Sequence, residues 1–230
     1  MIVNEAADRH NFNSLINGIK PLKAQKPDIK PFTLQEVNQI ISNVRFDYKH
    51  YYIVRFFTGM RSAEIDGLQW KYVDFERGEI LIRETLVNGE MEYTKTDGSQ
   101  RAIKMTDMVR DALFDQREVT GDKQFVFVNC NGKPLDRNNV ARRVWHPLLR
   151  HLGLERRNPY QTRHTAATLL LASGEAAEWV ARQLGHSNTE MLFRVYSRYV
   201  PNLTRNDGSA FERLLQQSID SEPKQEVKDE

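Results

Sequence analysis

The sequence predicts an α+β domain, mainly helical, with one small antiparallel β-sheet. Three observations carry that reading. Apolar residues recur at helical intervals through residues 33–70 and again beyond residue 106. Between these stretches the period changes to two, in "GEILIRETLV", "EMEYTKT" and "QRAIKMT". The alternating runs are separated by Asn88-Gly89 and Asp97-Gly98, which favour tight hairpin turns.

The elements follow in order. Thr33 and Glu36 stand in capping-box spacing ahead of Val37, Ile40, Ile41 and Val44, which starts a helix. "HYYIVRFFTG" reads as a buried helix ended by Gly59, and "RSAEIDGLQW" as a short helix after it. Beyond the sheet, a helix covers about residues 106–117 and "FVFV" forms a short strand. Another helix starts at Asp136 and runs through "DRNNVARRVWHPLLRHLGL". "TRHTAATLLLAS", "EAAEWVARQLG" and "TEMLFRVYSRYV" are helical by pattern.

Composition excludes several classes. The chain has 230 residues, 40% hydrophobic and 28% charged, as a domain with a substantial core requires. Cys130 is the single cysteine, so no intramolecular disulfide forms and a reducing compartment is expected. No apolar run reaches the roughly 18 residues of a membrane span, so a cytoplasmic, nucleoid-associated protein is expected. Net charge is +2, but residues 206–230 carry −4 and the remainder +6, which suits an anionic partner for the body. Residues 1–31, with "KPLKAQKPDIKP", have a linker composition. The acidic tail 206–230 has no apolar face at its end and is expected to be disordered.

Four segments hold the candidate chemistry. In "TGMRSAEIDGLQW", Arg61 and Glu64 lie three apart at a helix start; alone they are a surface ion pair. Lys95 near a hairpin tip is, alone, a solubilising lysine. Arg163 and His164 open a helix in "NPYQTRHTAATLLL", where exposed backbone N–H groups attract anions. A helical rise turns His164 about 100° away from Arg163, towards a buried or capping role. His186 follows "QLG", with Tyr196 ten residues on. His146 and His151 are the one pair in metal-ligand spacing and lack nearby partner cysteines, so no metal is expected. There is no phosphate loop of the G-x₄-G-K-[ST] type, no acidic cluster suited to a two-metal nuclease, and no expected cofactor.

Together these segments, in this order from about Pro31 to Val200, resemble the tyrosine recombinase (phage integrase) family. "TGMRSAEIDGLQWKYVDF" looks like its first box and "TKTDGSQRAIKM" like its hairpin lysine segment. "YQTRHTAAT" looks like its second arginine box, and "LGHSNTEMLFRVYSRY" like its terminal box. The resemblance implies a helical DNA breaking-rejoining catalytic domain, here residues 32–205, working without metal or ATP through a 3′-phosphotyrosyl intermediate. It implies Tyr196 as nucleophile, Arg61 and Arg163 gripping the scissile phosphate, and His186 bonding a non-bridging oxygen. Lys95 would protonate the leaving 5′ oxygen, and Glu64 would brace Arg61. The family often has histidine three residues before its second arginine; here that place is Tyr160, a poor base near pH 7. Double-stranded DNA, a homo-oligomer (a tetramer on DNA) and accessory or directionality proteins are the implied partners. Residues 1–31 would then be an interdomain linker or remnant of a core-binding domain, and the tail 206–230 would be exchanged between protomers. Two rivals use the same residues: a DNA-binding module that has lost cleavage, and a type IB topoisomerase-like enzyme.

Overall fold

A computed structural model describes residues 5, 9, 10, 29–93, 100–186 and 188–196. The helical frame begins with α1 (Leu34–Asn43), whose N-cap Thr33 forms the expected capping box with Glu36. Arg45 precedes α2 (Phe46–Thr58), which ends at Gly59 with φ 63°, and the short α3 (Ser62–Asp66) follows. Val37 and Ile40 of α1 and Tyr52, Val54 and Phe56 of α2 are buried together with Phe32 and Trp145. Trp145 is the hub: Tyr52 stacks on it at 5.1 Å between ring centroids, and Phe32 meets it edge-on at 5.6 Å.

The alternating region forms two small sheets where one was expected. β1 (Val73–Asp74), β2 (Glu79–Ile82) and β5 (Arg101–Lys104) pair in the order β1-β2-β5, all antiparallel. β3 (Glu84–Val87) and β4 (Glu90–Tyr93) form a separate hairpin. Its tip is at Asn88 and Gly89, both at positive φ, as the sequence signal requires. The run "GEILIRETLV" is thus divided at Arg83 and hands the chain from one sheet to the other. The expected tip at Asp97-Gly98 lies outside the described residues.

After α4 (Asp107–Thr120), the expected strand "FVFV" is absent. Only single bridges form, Gln69 to Phe125 and Val128 to Pro134. The Val126 carbonyl is taken by Thr120 Oγ1 at 2.7 Å and Gln116 Nε2 at 3.2 Å instead of by a neighbouring strand, and Pro134 has no N–H to extend a ladder. Asp136 caps the next helix by accepting from the Asn139 N–H at 2.7 Å. That helix is continuous in three parts: α5 (Arg137–Val140), a π-helical turn (Ala141–Trp145) and α6 (His146–His151). The chain closes with α7 (Gln161–Ala172), α8 (Ala177–Leu184) and α9 (Thr189–Tyr196). Val180, Ala181 and Leu184 of α8 pack with Ala167 of α7 and with Leu192 and Tyr196 of α9 in a second apolar cluster. None of the described helices is long and apolar enough to cross a membrane.

A buried arginine joins the segments that carry the candidate residues. Arg55 Nε donates to Thr162 Oγ1 at 3.0 Å, and its Nη2 donates to Ser62 Oγ and to the Pro159 carbonyl. Its Nη1 donates to the Tyr51 hydroxyl, which donates in turn to Asp66 Oδ1 at 2.7 Å. One guanidinium therefore ties α2 to the neighbours of both Arg61 and Arg163. Removing one member of such a buried network leaves polar groups unsatisfied, which costs about 3 kcal/mol or more. Arg55→Leu is expected to lower the unfolding free energy by about that amount, measured as a shift in the urea midpoint at constant slope.

Candidate active site

The site forms around the C-terminal turn of α8. A helix end leaves its last carbonyls without partners inside the helix. Part of this end is closed locally: the His186 N–H bonds the Ala181 carbonyl at 2.9 Å and the Gly185 N–H bonds Arg182 at 3.0 Å, a Schellman motif. Gly185 has φ 70°, and a Cβ there would lie 3.0 Å from Arg101 Nη1, so the position needs glycine twice over.

The three carbonyls of residues 183, 184 and 185 are each bound by a different arginine. Arg101 Nε donates to Gln183 O at 2.8 Å, Arg163 Nη2 to Leu184 O at 2.7 Å, and Arg61 Nη2 to Gly185 O at 2.8 Å. Arg163 also donates through Nη1 to Gly59 O at 2.7 Å. Its side chain is 1% exposed, and burial, with Arg61 and Arg101 nearby, lowers its pKa. The negative end of the α8 dipole helps to hold three cations so close together.

Glu64 is their shared counter-charge. It accepts from Arg61 Nη1 at 2.9 Å and from the Arg61 backbone N–H at 2.7 Å, and from Arg101 Nη1 and Nη2 at 2.9 Å each. Burial alone would push its carboxyl up, but the Arg101 and Arg61 bonds hold it below its ordinary 4.5. The surface ion pair that Arg61 and Glu64 suggest in isolation is therefore corrected: Glu64 is buried, and a second arginine completes a triad.

His186 directly follows the capped turn, and its ring stacks parallel to Tyr196 with centroids 6.4 Å apart. Its Nδ1 and Arg163 Nε are buried with no hydrogen-bond partner among the described residues. Burial first, then Arg163, Arg61 and Arg101, push its pKa down to about 4. Tyr196 is 2% exposed, and its hydroxyl lies 2.8 Å from His164 Nδ1. The direction away from Arg163 that pointed to a merely buried or capping His164 is the direction of Tyr196. His164 is pushed to about 4 by burial and Arg163, and Tyr196 is raised to about 12, mainly by burial. Both shifts favour the uncharged forms, so this pair is neutral tyrosine against neutral imidazole.

Tyr160 caps the start of α7 at the rim, 41% exposed, with its ring edge-on to His164 at 5.1 Å. The anion-attracting start of α7 needs correction as well. The N–H groups of Gln161, Thr162 and Arg163 already bond the carbonyls of Asn158, Pro159 and Tyr160. Positive potential comes from the guanidinium groups instead. Lys95 lies outside the described residues. Among the described residues no group of three or more His, Cys, Asp or Glu could hold a metal ion.

Two site residues were missed in the sequence. In the sequence Arg101 is only a strand residue of "QRAIKMT"; its inward register, opposite Ile82, shows only once β2 and β5 pair. Arg55 had a legible signal, a lone cation inside the apolar run "YYIVRFF".

The site is thus a mainly helical domain's cluster of three arginines and a histidine around one turn, beside a tyrosine. The chain belongs to the phage integrase family, which matches residues 30–202. It is 27% identical over 211 residues to the prophage integrase IntR of Escherichia coli, covering 81% of this chain and 51% of that protein. It is 25% identical over 214 residues to a XerC-like tyrosine recombinase of Caldanaerobacter subterraneus subsp. tengcongensis, covering 81% and 54%. The chain spans about half the length of these curated relatives. Its fold matches the Tn1549 transposon integrase, solved in complex with a circular intermediate DNA, with TM-score 0.71 and 18% identity over 93% of this chain and 75% of that one. It also matches a lambda integrase dimer bound to a COC′ core site, with TM-score 0.64 and 16% identity over 88% and 57%.

The low pKa values of His164 and His186 predict acid lability. Their folded pKa of about 4 lies below the ordinary 6.5, so the unfolded chain binds more protons between those values. This stability is complete above about pH 6.5 and is lost as pH falls towards 4. After allowance for partial exposure, each histidine contributes about 1–2 kcal/mol. Urea midpoints measured from pH 7.5 to pH 4.5 are expected to fall steeply in the parent chain and much less in His164→Gln/His186→Gln.

Proposed function

We propose that this chain is the catalytic domain of a site-specific DNA recombinase that cuts and rejoins double-stranded DNA through a 3′-phosphotyrosyl intermediate. The carrying observation is the convergence of Arg61 and Arg163 on consecutive carbonyls immediately before His186, with Tyr196 stacked against that histidine. In this reading the Tyr196 oxygen attacks the phosphorus, the bond to the 5′ oxygen breaks, and the tyrosine proton passes to solvent water. Lys95 supplies the proton that the 5′ oxygen takes up, and the reverse sequence rejoins a strand without ATP. Arg61 and Arg163 bind the non-bridging oxygens as charge builds on them, and His186, neutral at pH 7, donates a ring N–H there. Glu64 and Arg101 keep Arg61 in place.

The buried Tyr196 hydroxyl is the resting form. Bonded to His164, it is neutral and shielded, so cleavage requires α9 to move and bring the hydroxyl towards the arginines. That move exchanges a low-dielectric setting that raises its pKa for a cationic one that lowers it. Tyr160 at the rim stands in for the commoner histidine as a hydrogen-bonding partner of substrate. Assembly of several protomers on one DNA, with the tail 206–230 exchanged between them, belongs to the same reading.

A nicked suicide duplex separates the alternatives, with a denaturant-stable protein–DNA adduct as readout in a chain carrying its full DNA-binding apparatus. The adduct is expected in the parent and absent in Tyr196→Phe. Arg61→Ala or Arg163→Ala is expected to slow its formation by about 10²–10³. DNA binding with no adduct in the parent would indicate a binding module instead, and relaxation of supercoils without strand exchange would indicate a topoisomerase.

A further inference from the structure

A second basic cluster takes no part in the site just described. Arg142, His146 and Arg150 stand four residues apart along the helix that runs from Arg137 to His151, and Arg156 approaches from the loop beyond it. With Leu149 and Leu154 they line an open cavity of about 330 Å³. Among the described residues, none of these three arginine side chains has a hydrogen bond or an ion pair. Glu155, which precedes Arg156 in the chain, is paired with Lys30. Burial, then the neighbouring Arg156 and Arg150, lower the pKa of His146. Its Nδ1 is buried with no hydrogen-bond partner among the described residues.

Such an arrangement is unfavourable by itself. The three exposed guanidinium groups have no anionic partner of their own among the described residues, and a buried ring nitrogen without a partner forfeits a hydrogen bond. The helix also departs from α geometry here: the π turn Ala141–Trp145 contains Arg142 and abuts His146. Single π turns concentrate at functional sites. An anion in the cavity would give the three guanidinium groups a shared partner beside His146.

We propose that this cavity is a phosphoryl-anion site, in which Arg142, Arg150 and Arg156 supply the positive charge and His146 a ring N–H donor. Guanidinium forks suit tetrahedral oxyanions, and the leucines shield one side from water. The phosphate comes from either of two sources, a backbone phosphodiester of bound DNA or a free phosphate. The first rests on the DNA-acting function proposed above; the second does not.

Histidine-ring NMR of the whole chain tests the site, with inorganic phosphate as probe at constant ionic strength and chloride as control. The His146 signal, assigned with His146→Asn, is expected to shift saturably with phosphate. Its pKa is expected to rise, since a bound anion favours the protonated ring. Arg142→Ala/Arg150→Ala is expected to weaken that response about tenfold or more, as loss of charge-assisted bonds does. The urea midpoint should hold, because these exposed side chains make no hydrogen bond or ion pair among the described residues, whereas a merely structural role predicts a loss; single Arg150→Gln provides a milder check. Tyr196→Phe protein should give the same shift, so failed strand cleavage leaves this result readable. In a second arm, duplex binding is followed across salt concentrations. A slope of log K against log salt that falls by about one per lost phosphate contact in the double variant assigns the site to DNA backbone. A phosphate shift with an unchanged slope assigns it to free phosphate. No phosphate response at His146 together with an unchanged salt slope overturns the proposal.

Discussion

Everything at the candidate site depends on how one helix ends. The carbonyls of Gln183, Leu184 and Gly185 take their donors from Arg101, Arg163 and Arg61, which arrive from a strand, from another helix and from a short helical turn. Three cations tolerate this proximity because the helix terminus is partially negative and because Glu64 lies beneath two of them. The same contacts fix the position of His186, the next residue along the chain. Geometry and charge are thus set by one arrangement, and a change at any of the three arginines disturbs the other two.

That arrangement also explains why both histidines remain neutral. Each is partly buried and faces permanently charged arginine, so protonation is opposed twice over. A neutral ring presents one donor and one acceptor nitrogen, which suits His164 to holding the tyrosine hydroxyl and His186 to offering an N–H to an oxyanion. Tyr196 belongs to the small apolar cluster of α7, α8 and α9 rather than to the main core. Met191 and Phe193 on its helix are exposed, so α9 is held on one face only.

Local features were legible residue by residue. The capping box at Thr33 and Glu36, the turn at Asn88-Gly89, the cap at Asp136 and the stop at Gly59 all rest on short-range bonding. "FVFV" forms no strand because side chains of Thr120 and Gln116 take the Val126 carbonyl, and "GEILIRETLV" is divided because periodicity cannot reveal a change of partner. Arg61, Arg163, His186 and Tyr196 were selected by order and spacing. Arg101 was not, because a strand arginine declares its direction only through pairing.

By itself, the sequence determined the fold class, most of the elements, the family resemblance and the identities of the candidate residues. Those properties follow from local backbone preferences and from the order of side chains along the chain. Tertiary structure alone decided that Glu64 is buried beneath two arginines, that His164 holds Tyr196, and that three arginines share one helix end. Each of these is a contact between elements distant in sequence, where burial and dielectric are set by packing, and no local pattern encodes them.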